Sequence, residues 1–387
     1  MCGAIELKRY WKIILAIVIT TVVINIIGIN KGFCTWYADN VYPILNVIVG
    51  SLTSWCPFAI GEIIMYICAL MIIVLLASLV LFVFLFRKNF YRRYMATYSK
   101  TCLMVIVLFL FSYTINWFIP FRASVLKVSD NTRTTYSLDE VLEVRNMLVN
   151  NLNQTALLAP RDEEGHLVYD YKEKDIADLM RSRSDDYKRL RWFYPNMKPA
   201  LCSDFLHWMR IGGYNYIYTM EPTFNIYCDE LYMPILKSHE LSHNKGYYLE
   251  NEAEFLSSVI LAESDNAIFK YSAYIEMYSY INEAYTSDLY DSLVEAGCEP
   301  GRPAKEAMKE ILADSPMLSP LVYADIAYAR EQANKRYEEN VDKEKEASFQ
   351  GVSGEIADKG WEMQGEVLGE NTYSGITFML LQYYVEE

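Results

Sequence analysis

The sequence predicts a mainly α protein: three N-terminal transmembrane helices, then a mostly helical extracytoplasmic domain with a small edge sheet. Hydrophobic residues make up 52% of the 387-residue chain while 22% are charged. The two fractions coexist because the apolar residues are concentrated in the first 120 positions. That region holds three apolar runs, each near or above the ~20 residues that cross a bilayer core of ~30 Å. Beyond it, apolar residues recur at helical spacing and strand signals are few.

The runs are WKIILAIVITTVVINIIGI (11–29), FAIGEIIMYICALMIIVLLASLVLFVFLF (58–86) and TCLMVIVLFLFSYTINWFI (101–119). A core helix would show a polar face. The first run is too long for the apolar core of a signal peptide, and no small-residue cleavage site follows it, so it reads as an uncleaved span. Lys8, Arg9 and Lys12 precede it, and Arg87, Lys88, Arg92, Arg93 and Lys100 fall in the 87–100 loop. Between the first two spans stands only Lys31, beside Asp39. Basic loops remain cytoplasmic. The expectation is therefore a multi-pass cell-membrane protein with a cytoplasmic N-terminus. Residues 1–120 are the anchor and 121–387 form an extracytoplasmic domain. Glu62, at the start of the second span, stays near the outer interface and avoids deep burial of its charge.

In the second domain the spacing predicts helices over 138–153, 175–191, 251–263, about 266–286, 303–314, 321–347 and 373–384. EPTFNIYC (221–228) is the best strand. The highly charged stretch 335–360 reads as a solvated helix followed by a loop. Most of the 32 tyrosines lie in this domain and suit packing with wet surfaces. A net charge of −14 and the lack of a basic patch exclude nucleic acid as a partner. The eight cysteines contain no C-x-x-C pair, which argues against a cysteine-based zinc ribbon. Cys34, Cys56, Cys202, Cys228 and Cys298 leave disulfides open if they face an oxidising compartment.

The chemistry concentrates in KSHELSHNKGYYLENEAEF, 237–255. His239 and His243 stand four residues apart, on one helical face, where both imidazoles can point at one ion. Glu240 projects on a neighbouring face, which suits a proton acceptor for an attacking water rather than a ligand. Gly246 offers a helix stop, because it tolerates positive φ. Catalytic zinc takes three protein ligands and an open position. Glu250, Glu252 and Glu254 follow on a second helix running back past the first. Glu252 is the expected third ligand. Glu250 and Glu254 share a face and Glu252 another, so the three cannot all bind, and a spare acid can orient a histidine through its other ring nitrogen. His166 and His207 read as surface or hydrogen-bonded residues.

HELSHNKGYYLENEAEFLSSV resembles the core of a bacterial membrane-protein family catalogued as domain-of-unknown-function family 3810. The shared order is His239 to His243, Gly246-Tyr247, Glu252-Ala253 and Phe255-Leu256. NAIFKYSAYIEMY, ENTYSGITFMLLQYY and CPFAIGEIIMY resemble further parts of it. Glu254 replaces the usual Asn, and Asn244-Lys245 the usual Gln-Arg. The resemblance implies a zincin-like peptidase of the H-E-x-x-H plus glutamate kind and names no substrate.

The expected protein is thus a membrane-anchored zinc metallopeptidase. His239, His243 and Glu252 would hold Zn2+, and Glu240 would be the base. Tyr274 and Tyr373 are candidate oxyanion donors, with packing the commoner role for either, and the 221–228 strand at the cleft rim would pair with an extended substrate. Substrate candidates are a peptide, an envelope protein or a peptidoglycan cross-link, and the other partner is membrane lipid. The rival readings are a non-enzymatic zinc-stabilised sensor and a structural, envelope-binding protein.

Overall fold

A computed structural model describes residues 2–123, 126, 135–341 and 372–385, with side chains from 8 onward and, in the last segment, from 375. Among the described residues are fourteen helices, α1 to α14, and three short strands, β1 to β3, numbered in chain order. The chain is mainly helical, as its apolar spacing predicts.

The anchor contains α1 (Cys2–Ile27), α2 (Lys31–Asn40), α3 (Tyr42–Thr53), α4 (Ile60–Leu85) and α5 (Asn89–Phe121). Among the described residues, Lys8–Ile27, α4 and α5 are the three helices long and apolar enough to cross a membrane. Their order matches the expected spans, but the basic 87–100 stretch is not a loop. Only Phe86 to Lys88 link α4 to α5, and Arg92, Arg93 and Lys100 lie on the first turns of α5. Tyrosines hold this hairpin closed. Tyr91 donates to the Ser78 carbonyl (2.7 Å), and Tyr98 to that of Met71 (2.8 Å).

α1 and α5 run parallel. Tyr10 donates to the Lys100 carbonyl at one end (2.6 Å), and Asn25 to Thr114 Oγ1 at the other (3.0 Å). The basic residues of both therefore gather at one end of the bundle. At the opposite end, Asn116 Nδ2 donates to the Ile217 carbonyl, 2.9 Å, where the second part of the chain is docked.

That second part contains α6 (Leu138–Leu158), α7 (Glu173–Ser182), β1 (Lys198–Pro199), α8 (Ser203–Trp208), β2 (Gly213–Tyr216) and β3 (Glu221–Phe224). There follow α9 (Met233–Asn244), α10 (Glu250–Ala262), α11 (Ala267–Glu295), α12 (Arg302–Leu312), α13 (Pro320–Asn340) and α14 (Thr372–Val385). α6 starts at a capping box between Ser137 and Glu140. Its buried face reads Val141, Val144, Leu148, Leu152 and packs against α11. α10 is buried on nearly every side, with Phe255, Leu256, Val259 and Ile260 at the centre of the largest core. The helix expected over 175–191 stops at Ser182 and resumes only as a 3-10 turn, Lys188–Arg191. Ser and Asp side chains in SRSDD compete for the backbone there. The charged stretch is helical to Asn340, and residues 342–360 of it lie outside the described residues. The seven described cysteines, Cys34, Cys56, Cys68, Cys102, Cys202, Cys228 and Cys298, are free thiols.

The sheet order is β1-β3-β2, with β1 parallel and β2 antiparallel to β3. The EPTF strand is therefore central, not at a rim. Its edges are covered by β1 and β2, and it has no side left for a substrate chain. β2 is an outer strand.

Anchor and second part share one apolar cluster. Cys34, Tyr37, Ala38, Tyr42 and Ile119 pack with Ile217, Met220 and Tyr248. Asn46 on α3 donates to both the backbone and side-chain oxygens of Asn244, the last residue of α9, at 2.9 Å each. Asn46→Ala removes both bonds from a buried helix end and is expected to cost about 1–3 kcal/mol. A lowered thermal midpoint of the full-length protein in detergent checks this.

Candidate metal centre

α9 carries H-E-L-S-H and ends where Gly246 takes φ 86°. Gly246 N donates to the His243 carbonyl, 2.9 Å, and Tyr247 N to that of Ser242, 3.1 Å. This is the glycine helix stop expected from the sequence. α10 begins four residues later and packs back along α9.

That turn sets which glutamates meet the histidines. Glu250 Oε2 lies 3.1 Å from His239 Nε2 and 3.5 Å from His243 Nε2. One ligand atom from each of His239, His243 and Glu250 can be chosen so that all lie within 4.8 Å of one another. Glu254, one turn on, places Oε2 at 2.8 Å from His239 Nδ1. Glu252 points elsewhere. It is buried and accepts from the Leu126 backbone N–H. The structure thus brings Glu250, not Glu252, to the two imidazoles. The face shared by Glu250 and Glu254 is the one turned toward α9.

The residues fit a small divalent ion. Tetrahedral zinc with ligand bonds of ~2.0–2.1 Å spaces its donors by ~3.4 Å, close to the separations from Glu250. His243 Nδ1 faces the Tyr247 carbonyl at 2.8 Å, and a carbonyl only accepts. The proton is therefore on Nδ1, and the lone pair of the neutral ring is on Nε2. The Glu254 carboxylate oxygen at Nδ1 selects the same tautomer for a neutral His239. In that form both Nε2 lone pairs would be open to an ion, whereas a protonated ring turns its Nε2 proton to Glu250. Acceptors at Nδ1 are the support that metal-binding histidines receive in established sites.

The electrostatics favour a cation. Burial alone would lower the His239 imidazole, but hydrogen bonds to Glu250 and Glu254 outweigh it and hold the group well above its ordinary value. His243 is also raised, burial being overcome chiefly by Glu250. Glu250 itself is held far below the carboxylate range, against burial, mainly by His243 and His239. Behind them on α11, burial and then the neighbouring Glu254 carboxylate push Glu276 up to about 8.

Glu240 is buried, and its Oε2 has no hydrogen-bond partner among the described residues. Burial pushes it up to about 7, against the pull of His243 and His239. The β2 backbone crosses directly over it. A Cβ at Gly213 would stand 2.7 Å from both Cγ and Oε1 of Glu240 and 2.5 Å from the Thr223 carbonyl oxygen. Only glycine allows that approach.

His166 and His207 are away from the cluster. His166 stacks on Tyr328, and His207 packs against Tyr227 and Tyr337. Tyr274 is half-buried in the core. Its phenol is raised by burial and then by Glu263, just past the end of α10 remote from Glu250, so it is not among the groups brought to the site. Tyr373 falls on α14, with its side chain outside those described. Gly213 and the Tyr247 carbonyl escaped the sequence reading. The Gly212-Gly213 doublet before an alternating strand was the available signal for the first. A backbone acceptor leaves none.

The fold and site define a class: a helical membrane protein whose H-E-x-x-H helix presents two oriented imidazoles to a glutamate from the next helix. The chain belongs to the family described as "Protein of unknown function (DUF3810)", whose model matches residues 37–377. No curated protein and no solved structure matches it.

Proposed function

We propose that this protein is a membrane-anchored zinc metallopeptidase that hydrolyses a peptide bond in a peptide or envelope protein. The observation that carries the reading is the pair of imidazoles held by acceptors at Nδ1 with both Nε2 atoms turned to Glu250. His239, His243 and Glu250 hold the ion, which when bound supplies Lewis acidity for water and carbonyl activation. Glu254 and the Tyr247 carbonyl fix the rings. Glu240 accepts the proton of the attacking water at its unpartnered Oε2 and returns it to the leaving amine. Glu252 is structural, tying Leu126 to the start of α10.

β2 supplies a place for the substrate backbone. The Phe224 carbonyl accepts from Ala200 N, so it faces β1. Gly213, opposite Phe224, therefore turns its own N–H and C=O off the sheet edge, beside Glu240. An extended peptide can pair there. Because basic ends remain cytoplasmic, the gathering of Lys8, Arg9, Arg92, Arg93 and Lys100 at one end supports a reading with the N-terminus inside and the metal centre outside the cell membrane.

One contact supports a second reading. Asn46 joins the anchor to the end of the motif helix, as a non-enzymatic zinc-stabilised sensor would require. Such a sensor would be indifferent to Glu240→Gln.

Full-length protein purified without chelator is expected to hold about one zinc, since the described residues offer one such cluster of ligands. Glu250→Gln should weaken the metal at least about a hundredfold, above the ~10–100-fold typical of groups that only support a ligand. Glu252→Gln should keep it. Elemental analysis and competition with a chromogenic chelator read both. A wild-type protein without metal ends the proposal, and metal loss in Glu252→Gln alone overturns the ligand set.

A further inference from the structure

The segment between the first two spans contains a helix with two unlike faces. On one face of α3, Tyr42 donates to the Asn244 carbonyl (3.2 Å) and shares a 2.9 Å hydrogen bond with Tyr248, whose ring stacks on His243. Asn46 and Thr53 continue that face, Thr53 donating to the Thr219 carbonyl at 3.1 Å. The opposite face presents Ile44, Ile48 and Leu52, spaced i, i+4, i+8, and they are 50%, 53% and 66% exposed. Trp55, 79% exposed, follows them, and Trp36, 54% exposed, precedes them on α2.

No Asp, Glu, Lys or Arg occurs from Val41 to Gly61. A bare apolar stripe on a helix flanked by tryptophans is the pattern of an element lying in a bilayer interface. The spans fix its height. The chain leaves α1 at Ile27 and enters α4 at Ile60, so the segment stays at the end of the bundle that carries the sheet and α9. α3 is too short, at 12 residues, to cross the bilayer itself.

We propose that α3 lies in the plane of the membrane that the spans cross, with Ile44, Ile48, Leu52 and Trp55 in the acyl region of one leaflet. The other face of α3 meets the last residue of α9, Asn244, and so faces the end of the motif helix. Lipid contact is independent of the metallopeptidase reading, and the test reads lipid contact alone.

The test places a photoreactive benzophenone amino acid at Ile44, Ile48 or Leu52 of the full-length protein in phosphatidylethanolamine–phosphatidylglycerol nanodiscs. Mass spectrometry after irradiation is expected to show lipid adducts at all three, in yields comparable to Ile72 within the second span. Ile311, exposed on α12, should give none. A covalent dimer, or adducts no more frequent than at Ile311, overturns the proposal. Unmodified protein gives a second measurement should a substituted chain misfold. In hydroxyl-radical footprinting, Leu52 and Trp55 should be protected while the equally bare Leu157 and Leu158 are oxidised. Oxidation of Leu52 at the rate of Leu157 overturns the proposal as well.

Discussion

Full-length protein carrying Glu240→Gln is expected to retain its zinc and to lose hydrolysis by about 10²–10⁴-fold, the range a positioned proton acceptor contributes. Glutamine has the shape of glutamate, so it keeps the packing of the side chain under Gly213, where the strand leaves no spare room. It places a neutral amide where a buried carboxylate stood, and adds no uncompensated charge. None of the three metal-facing atoms belongs to residue 240. Thermal stability and metal content should therefore be unchanged while kcat falls. The measurement is cleavage of a quenched-fluorescence peptide library by wild type and variant in proteoliposomes. Equal rates for the two would remove Glu240 from the chemistry and favour the sensor reading.

The spans were legible because length and apolarity alone decide them, and the Gly246 stop because only a few residues end a helix that way. The third carboxylate was less so. E-N-E-A-E shows that Glu250 and Glu254 share a face, but which face turns inward depends on how α10 lies across α9, a tertiary matter. The central place of EPTF depended on β1, two residues long, too short to leave a pattern. α2 and α3 were missed for a related reason. They fall between a span and a loop in length, and α3 is apolar on one side and half-polar on the side that meets Asn244. The tyrosine bonds that join the 87–100 stretch to α4 are tertiary as well, whereas basic residues read as a loop.

The largest expected effect on stability comes from Lys198. Its ammonium and the Glu221 carboxylate form an ion pair only 2% and 0% exposed. Lys198 Nζ also donates to the Thr53 and Phe58 carbonyls, 2.9 and 3.2 Å away. Glu221 accepts from the backbone N–H groups of Ile60 (3.1 Å) and Gly61 (2.8 Å), at the first turn of the second span. The positive end of that helix adds to the attraction. The pair thus fastens sheet, α3 and α4 at one point. Lys198→Met keeps the volume but leaves a buried carboxylate without its counter-charge and two carbonyls without a donor. The expected cost is about 3–5 kcal/mol, read as a fall in the detergent unfolding midpoint. Lys198→Met with Glu221→Met removes both charges, and replacing a buried pair by apolar side chains is often near neutral. Here recovery should be only partial, because the Ile60 and Gly61 N–H groups would lose their acceptor. A double variant as stable as wild type would show that the carboxylate does not cap the span. A single variant within about 0.5 kcal/mol of wild type, the scatter of ordinary surface changes, would show that the pair does not hold the junction.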